Sequence, residues 1–237
     1  MDPFHISCHK KLELIQSKYG WSTLDARVLV FYNLCSLTEN LGLILSTIFF
    51  AKGNGLHSKQ WWKGWAGYQD QAFRKIPDFD TYVNDQVRQS IHRVQEQLVF
   101  TSQIYIEAFI RNTSRQLGIE RDAFWQLKRD FLKAQLGLSD DDLLPITILQ
   151  HLRNTIHNKG IHHSPRNPQL RYNLNGYVFS FDHDQAVMVS WDHYSELLLA
   201  TSEVLLKIVE NPKVVALPEY SDKNIVVIQD EDENSER

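Results

Sequence analysis

Apolar residues recur along most of the chain at three- and four-residue steps, the spacing that gathers side chains on one face of a helix. Leu12, Leu14 and Ile15 mark a short helical start. A longer segment follows Trp21-Ser22-Thr23-Leu24-Asp25, which offers a hydroxyl or carboxylate cap. It carries Val28, Phe31, Leu34, Cys35, Thr38, Leu41, Leu45 and Ile48 to about Ala51 and reads as a core helix. Asp78 and Asp80 precede a very long pattern, from Tyr82 and Val83 through Val94, Leu98 and Ile106 to Ile110. No proline or glycine interrupts it before Gly118, so it is one long helix or two nearly collinear ones. Phe124, Leu127, Phe131, Leu132 and Leu136 mark another helix ending at Gly137.

Pro145 suits a first helical position, and Gly160 after Lys159 suits a stop, so the spacing predicts a helix over 145–159. Its apolar stripe is Ile146, Leu149, Leu152 and Ile156. Beyond it Ser164-Pro165-Arg166-Asn167-Pro168 breaks regular structure. Residues 177–181 and 186–190 flank the turn Asp182-His183-Asp184-Gln185 and read as a β-hairpin. Asp192 can then cap a last helix through Leu197, Leu198, Leu205 and Ile208, halted by Pro212. The predicted fold is mainly α, as one domain over 1–211 with the hairpin inserted at about 177–190, followed by a tail at 212–237 with an acidic end.

Composition narrows the partners. The chain has 237 residues, enough for a sizeable core, and a formal charge of -4 that partly reflects Asp230-Glu231-Asp232-Glu233. Global attraction to a polyanion is therefore not expected, and any such site must be a local patch. Two cysteines cannot make a disulfide framework, and the N-terminus lacks an export pattern, which points to a reducing, cytoplasmic setting. The most apolar run, 41–51, is far short of the ~20 residues that span a bilayer, so no membrane association is expected. The glycine-rich stretch over 52–78 carries Trp61, Trp62 and Trp65, which could stack on bases or rings but more often plug the edge of a core.

No phosphate-cradling loop, dinucleotide fingerprint or nucleophile elbow is present. Two histidine clusters, His5/Cys8/His9 and His157/His162/His163, do not follow a recognised zinc pattern, so no metal ligand set and no cofactor are expected. The remaining constellation is Arg153 with His157, about 40° and one turn apart on a helix, at the rim of a core or interface. A permanently charged guanidinium can neutralise a transferring phosphoryl group, and an imidazole titrating near neutrality can move a proton. The bland reading pairs Arg153 with an acid such as Asp140 or Glu107 and leaves His157 as a helix C-terminal decoration.

The run Arg153-Asn154-Thr155-Ile156-His157-Asn158-Lys159-Gly160, late in a helical chain, resembles the signature of HEPN domains (higher eukaryotes and prokaryotes nucleotide-binding). The resemblance extends back to the helix containing residues 100–111, with its polar and acidic inward positions, and covers roughly 23–160. It implies a bundle of four to five helices, usually a homodimer with the two motifs opposed in a cleft, and for active members a metal-independent ribonuclease of toxin-antitoxin, abortive-infection or other antiphage systems. Arg153 would neutralise the scissile phosphate, Asn154 would hydrogen-bond within the motif, and His157 would act as general base or acid while the 2'-hydroxyl attacks its own phosphate. Asn158, Lys159 and Arg166 are the expected RNA-binding residues, and an antitoxin or other protein is the expected further partner. Three residues separate Arg153 from His157, where the family more often has four to six. The alternative implied is a HEPN-like module that binds RNA or protein without cutting. A third reading is a nucleotide or small-ligand binder that uses the Trp61-Trp62-Trp65 loop.

Overall fold

The computed structural model describes residues 2–54, 78–164 and 168–221. Among these the chain is mainly helical, with small antiparallel strand pairs near the C-terminus. Helices α1 (Asp2–Tyr19) and α2 (Ala26–Asn54) pack side by side, and α2 runs along α3 (Phe79–Gln116). A short α4 (Phe124–Leu127) continues into a π-helical stretch, Lys128–Lys133. Next come α5 (Asp140–His157), strands β1 (Ile161–His162), β2 (Gln169–Leu174), β3 (Tyr177–Asp182) and β4 (Gln185–Ala186), then α6 (Trp191–Val209) and α7 (Pro212–Val215). The Trp61-Trp62-Trp65 loop and the acidic tail lie outside the described residues.

The core is shared by all the long helices. Phe4, Cys8 and Ile15 of α1 join Phe31 and Leu34 of α2, Leu98, Ile106, Phe109 and Ile110 of α3, Ile146 and Leu149 of α5, and Leu197 and Leu205 of α6. A smaller cluster, Val83 and Val87 against Ile48 and Ile91, closes the far end of the α2–α3 pair. Near that end α2 leaves Leu43, Ile44, Phe49 and Phe50 exposed. The apolar stretch is longer than the sequence reading gave it. Ala26–Phe50 is long and apolar enough to cross a membrane by length and composition alone, and 44% of its most apolar window is buried in the bundle.

Several boundaries differ from the sequence expectation. The long third pattern is a single helix, whose cap Asp78 accepts a hydrogen bond from the Thr81 N–H. Helix α2 reaches Asn54, because packing on α3 outweighs the weak helix preference of Thr47, Ile48 and Gly53. Ser190, not Asp192, caps α6, and Pro212 starts α7 instead of merely ending α6.

The hairpin is also re-registered. Tyr177–Asp182 pairs with Gln169–Leu174, from Gln169↔Asp182 to Leu174↔Tyr177, and 187–190 has no strand. The two-residue turn is Asn175-Gly176, at φ 50° and 90°, the left-handed pair that a tight hairpin requires and that Asn-Gly supplies cheaply. The expected turn at 182–185 exists, but it leads into β4, which pairs with β1 at the end of α5.

Helix α5 starts at Asp140, five residues before the expected Pro145, which sits inside it. A capping box sets that start: Ser139 Oγ accepts from the Asp142 N–H at 3.1 Å, while Asp142 Oδ2 accepts from the Ser139 N–H at 2.9 Å. Lys207 of α6 donates to Asp142 Oδ1. The Lys207 contact and the two Ser139 hydrogen bonds hold the Asp142 carboxyl down to about 2. A carboxylate depressed in the folded state contributes stability above its ordinary value near 3.8, and that contribution is lost as pH falls to about 2. In acid-unfolding curves, Asp142→Asn is expected to lower stability near neutral pH and to flatten the pH dependence in that window. An unchanged slope would count against this anchor.

Candidate functional site: the end of α5

The stripe Ile146, Leu149 and Leu152 is buried against α3 and α6, which turns the C-terminal part of α5 so that Arg153, Asn154 and His157 lie at the surface of the bundle. Arg153 and His157 share a platform from α3. The Arg153 guanidinium carbon lies 5.8 Å from the Phe100 ring centre, and the His157 ring meets the same ring edge-on at 5.0 Å. Arg153 Nη1 also donates to Asn154 Oδ1 at 3.2 Å.

The bland pairing for Arg153 is not formed. Asp140 is held by Lys133 at 2.8 Å, and Glu107 by Arg111 at 2.6 Å. The acids that sequence proximity suggested have nearer cations of their own, which leaves the charge of Arg153 uncompensated by a carboxylate within salt-bridge distance among the described residues.

The chain reverses directly after His157. Lys159 (φ 57°) and Gly160 (φ 83°) both adopt the left-handed conformation, and the Gly160 N–H bonds back to the Thr155 carbonyl at 2.9 Å, ending the helix. That reversal lays β1 against β4 (His162↔Gln185), and the Asp184 N–H donates to the His162 carbonyl at 2.8 Å. His163 is thereby carried back to the end of α5. Arg153, Asn154, His157, Asn158 and His163 line one open cleft, and His157, Asn158, Lys159, Ile161, His163 and Asp184 line the adjoining one. On its other side Arg153 borders a depression formed with Glu107, Arg111 and Arg115 of α3. Of the residues expected from sequence, Arg153, Asn154, His157, Asn158 and Lys159 are thus brought together, while Arg166 lies outside the described residues.

The sequence sets His163 beside His157 only as a candidate metal cluster and Phe100 only on the resembling helix 100–111, and nothing in it points to Asp184 as a member of this site. His163 Nδ1 is 2.8 Å from Asp184 Oδ1, and His183 Nε2 is 3.4 Å from Asp184 Oδ2. The hydrogen bond to His163, with His183 nearby, holds the Asp184 carboxyl below its ordinary range. A carboxylate bonded to one imidazole nitrogen fixes the ring's tautomer and leaves the other nitrogen for proton transfer. The cleft therefore holds two imidazoles, His157 and His163, with one guanidinium between the two surface depressions. Only the β1–β4 pairing could have shown this, because twenty-one residues separate His163 from Asp184.

Compared with protein-family models, with curated proteins and with solved structures, the chain matches none. The site is therefore read from its own geometry.

Behind the cleft, His151 belongs to an aromatic cluster. Its Nε2 lies 3.2 Å from the Tyr172 hydroxyl, and its ring stacks on Tyr172 and contacts Phe181 and His162. Burial, then the nearby His162 and Lys128, push its pKa down to about 4. The unfolded chain, with histidine near 6.5, takes up this proton first, so stability falls as pH drops from 6.5 to about 4. Urea unfolding across that range is expected to give a shallower pH slope for His151→Phe than for the unmodified chain. Equal slopes would remove His151 as the acid-sensitive group beneath the site.

Proposed function

We propose that this chain is a HEPN-like, metal-independent ribonuclease that acts at a homodimer cleft, in the manner of toxin-antitoxin or antiphage nucleases. One observation carries the reading: Arg153, Asn154 and His157, the residues of the resemblance, line a single solvent-open cleft, and no acid among the described residues neutralises the Arg153 guanidinium. In this reading Arg153 binds the scissile phosphate, and Asn154 steadies the guanidinium through its 3.2 Å contact. His157 takes the proton of the ribose 2'-hydroxyl as the oxygen attacks phosphorus. His163, oriented by Asp184, delivers a proton to the departing 5'-oxygen. Asn158 and Lys159 extend the surface along the RNA backbone, joined by Arg115 on the α3 side.

The rival reading, a non-catalytic HEPN-like module that binds RNA or a protein partner, is favoured by the short Arg153–His157 spacing and by the packing of both residues on Phe100. Incubation of the purified chain with end-labelled RNA in EDTA separates the two. Fragments ending in a 2',3'-cyclic phosphate are expected from the nuclease. Intact RNA across the pH range rejects it, and retention that weakens steeply with salt would then mark the binder.

A further inference from the structure

On the opposite flank of the sequence, α1 and α2 bring together three side chains that the RNA reading does not use. His5 Nε2 is 3.6 Å, and His9 Nε2 3.4 Å, from the same oxygen of Glu39, and one donor atom from each of the three residues falls within 4.8 Å of the others. His5 and His9 are one helical turn apart on α1, and Glu39 comes from α2. Donor atoms each ~2.0–2.2 Å from a shared tetrahedral centre lie roughly 3.3–3.6 Å apart, which matches the distances of the two histidine nitrogens from Glu39 Oε1.

Thr38 Oγ1 lies 3.1 Å from His5 Nδ1, and 3.1 and 2.7 Å from the carbonyl oxygens of Leu34 and Cys35. Its single hydrogen can turn to the Cys35 carbonyl, which leaves a hydroxyl lone pair to accept from His5 Nδ1. With the ring proton on Nδ1, the His5 Nε2 lone pair faces the space shared with Glu39 and His9, whose ring centre is 4.6 Å from that of His5. A divalent cation among the three donors would select that tautomer.

We propose that His5, His9 and Glu39 form a site for a divalent transition-metal ion of the zinc class, which clamps α1 to α2 and keeps a coordination position open to solvent. Imidazole and carboxylate donors suit this class. The Thr38 hydroxyl is the outer partner that orients a ligating histidine. Cys8, which the sequence placed with these histidines, is excluded, because it is buried and hydrogen-bonded to Cys35. The other histidine–carboxylate group is arranged differently. The Ser164 N–H donates to His183 Nδ1 at 3.1 Å, so His183 Nε2 carries a proton toward Asp184 and presents no lone pair to it.

The test is calorimetric titration of the metal-stripped full chain with zinc chloride, together with the visible absorption of the cobalt(II) form. One tight equivalent is expected. His9→Gln and Glu39→Gln, at side chains 44% and 55% exposed, are expected to fold normally by circular dichroism and to weaken binding by more than ~10-fold. Thr38→Val, which keeps all three ligands, is expected to cost roughly 10- to 100-fold. His163→Gln should leave zinc affinity unchanged. Absence of binding, unchanged binding in the double variant His9→Gln/Glu39→Gln, or loss of binding with His163→Gln would each overturn the site. These readouts do not depend on RNA cleavage, so the nuclease reading and the metal site stand or fall separately.

Discussion

Replacing His157 by alanine is expected to reduce RNA cleavage about 10²- to 10⁴-fold, the usual contribution of a positioned general acid or base. The fold should be nearly untouched. His157 is exposed at the last position of α5, and its ring contact among the described residues is the edge of Phe100. Surface changes of this kind usually alter stability by less than about 0.5 kcal/mol. The pH profile adds a sharper criterion. With two imidazoles in the cleft, one acting as base and the other as acid, the pH–rate profile is expected to be bell-shaped, and His163→Ala should remove the alkaline limb while sparing the acidic one. Arg153→Lys keeps the charge but loses the planar fork, so it should also lower the rate with little change in folding. Cleavage that survives His157→Ala at the unmodified rate would move the chemistry elsewhere.

The second large effect concerns stability. Arg27 is fully buried, as is Asp25, and the two form a paired contact: Nε to Oδ1 and Nη2 to Oδ2, each 2.7 Å. The guanidinium also donates to the carbonyls of Val214, Leu217 and Pro218, and lies 3.6 Å from the Trp21 ring centre. One arginine thus ties the start of α2 to the segment after α6. The Ala26 N–H donates to the Tyr220 carbonyl, and the Tyr220 N–H donates to Asp25 Oδ2, which completes the tie. Arg27→Met would leave three carbonyls without their donor and the buried Asp25 carboxylate with backbone N–H partners but no countercharge, and is expected to cost ~3–5 kcal/mol in denaturant unfolding. The double variant Asp25→Ala/Arg27→Met removes the stranded charge and should recover part of that loss. If Arg27→Met alone unfolds with the unmodified midpoint, the pair does not anchor the C-terminal segment.

Sequence periodicity located the long helices because helical packing leaves a regular stripe. The spacing predicts Ile146, Leu149, Leu152 and Ile156 as the buried face of α5; the first three are buried and Ile156 is partly buried. Starts and stops were less legible. The box that begins α5 lies in Ser139 and Asp142, before the first apolar repeat, where Pro145 gave a stronger but misplaced signal. The hairpin failed for a related reason. Alternation over 177–181 marks a strand, but the similar pattern at 186–190 points to the wrong partner, and the register is fixed instead by the Asn175-Gly176 turn.

At the candidate site, Arg153, Asn154 and His157 could be seen together because a helix brings residues one turn apart to the same side, and a single sequence contains that geometry. The cations and histidine of one local run, the apolar stripe beside them and the mild overall charge were all fixed by local order and composition. The tertiary structure decided the rest. It left Arg153 without an acid among the described residues, set Phe100 beneath both motif residues, brought His163 and Asp184 to the cleft, and placed Glu39 against His5 and His9. Those contacts join residues 21 to more than 50 positions apart, and nothing in local spacing encodes them. They arise only when the buried stripes of several helices settle against one another and carry their polar edges into register.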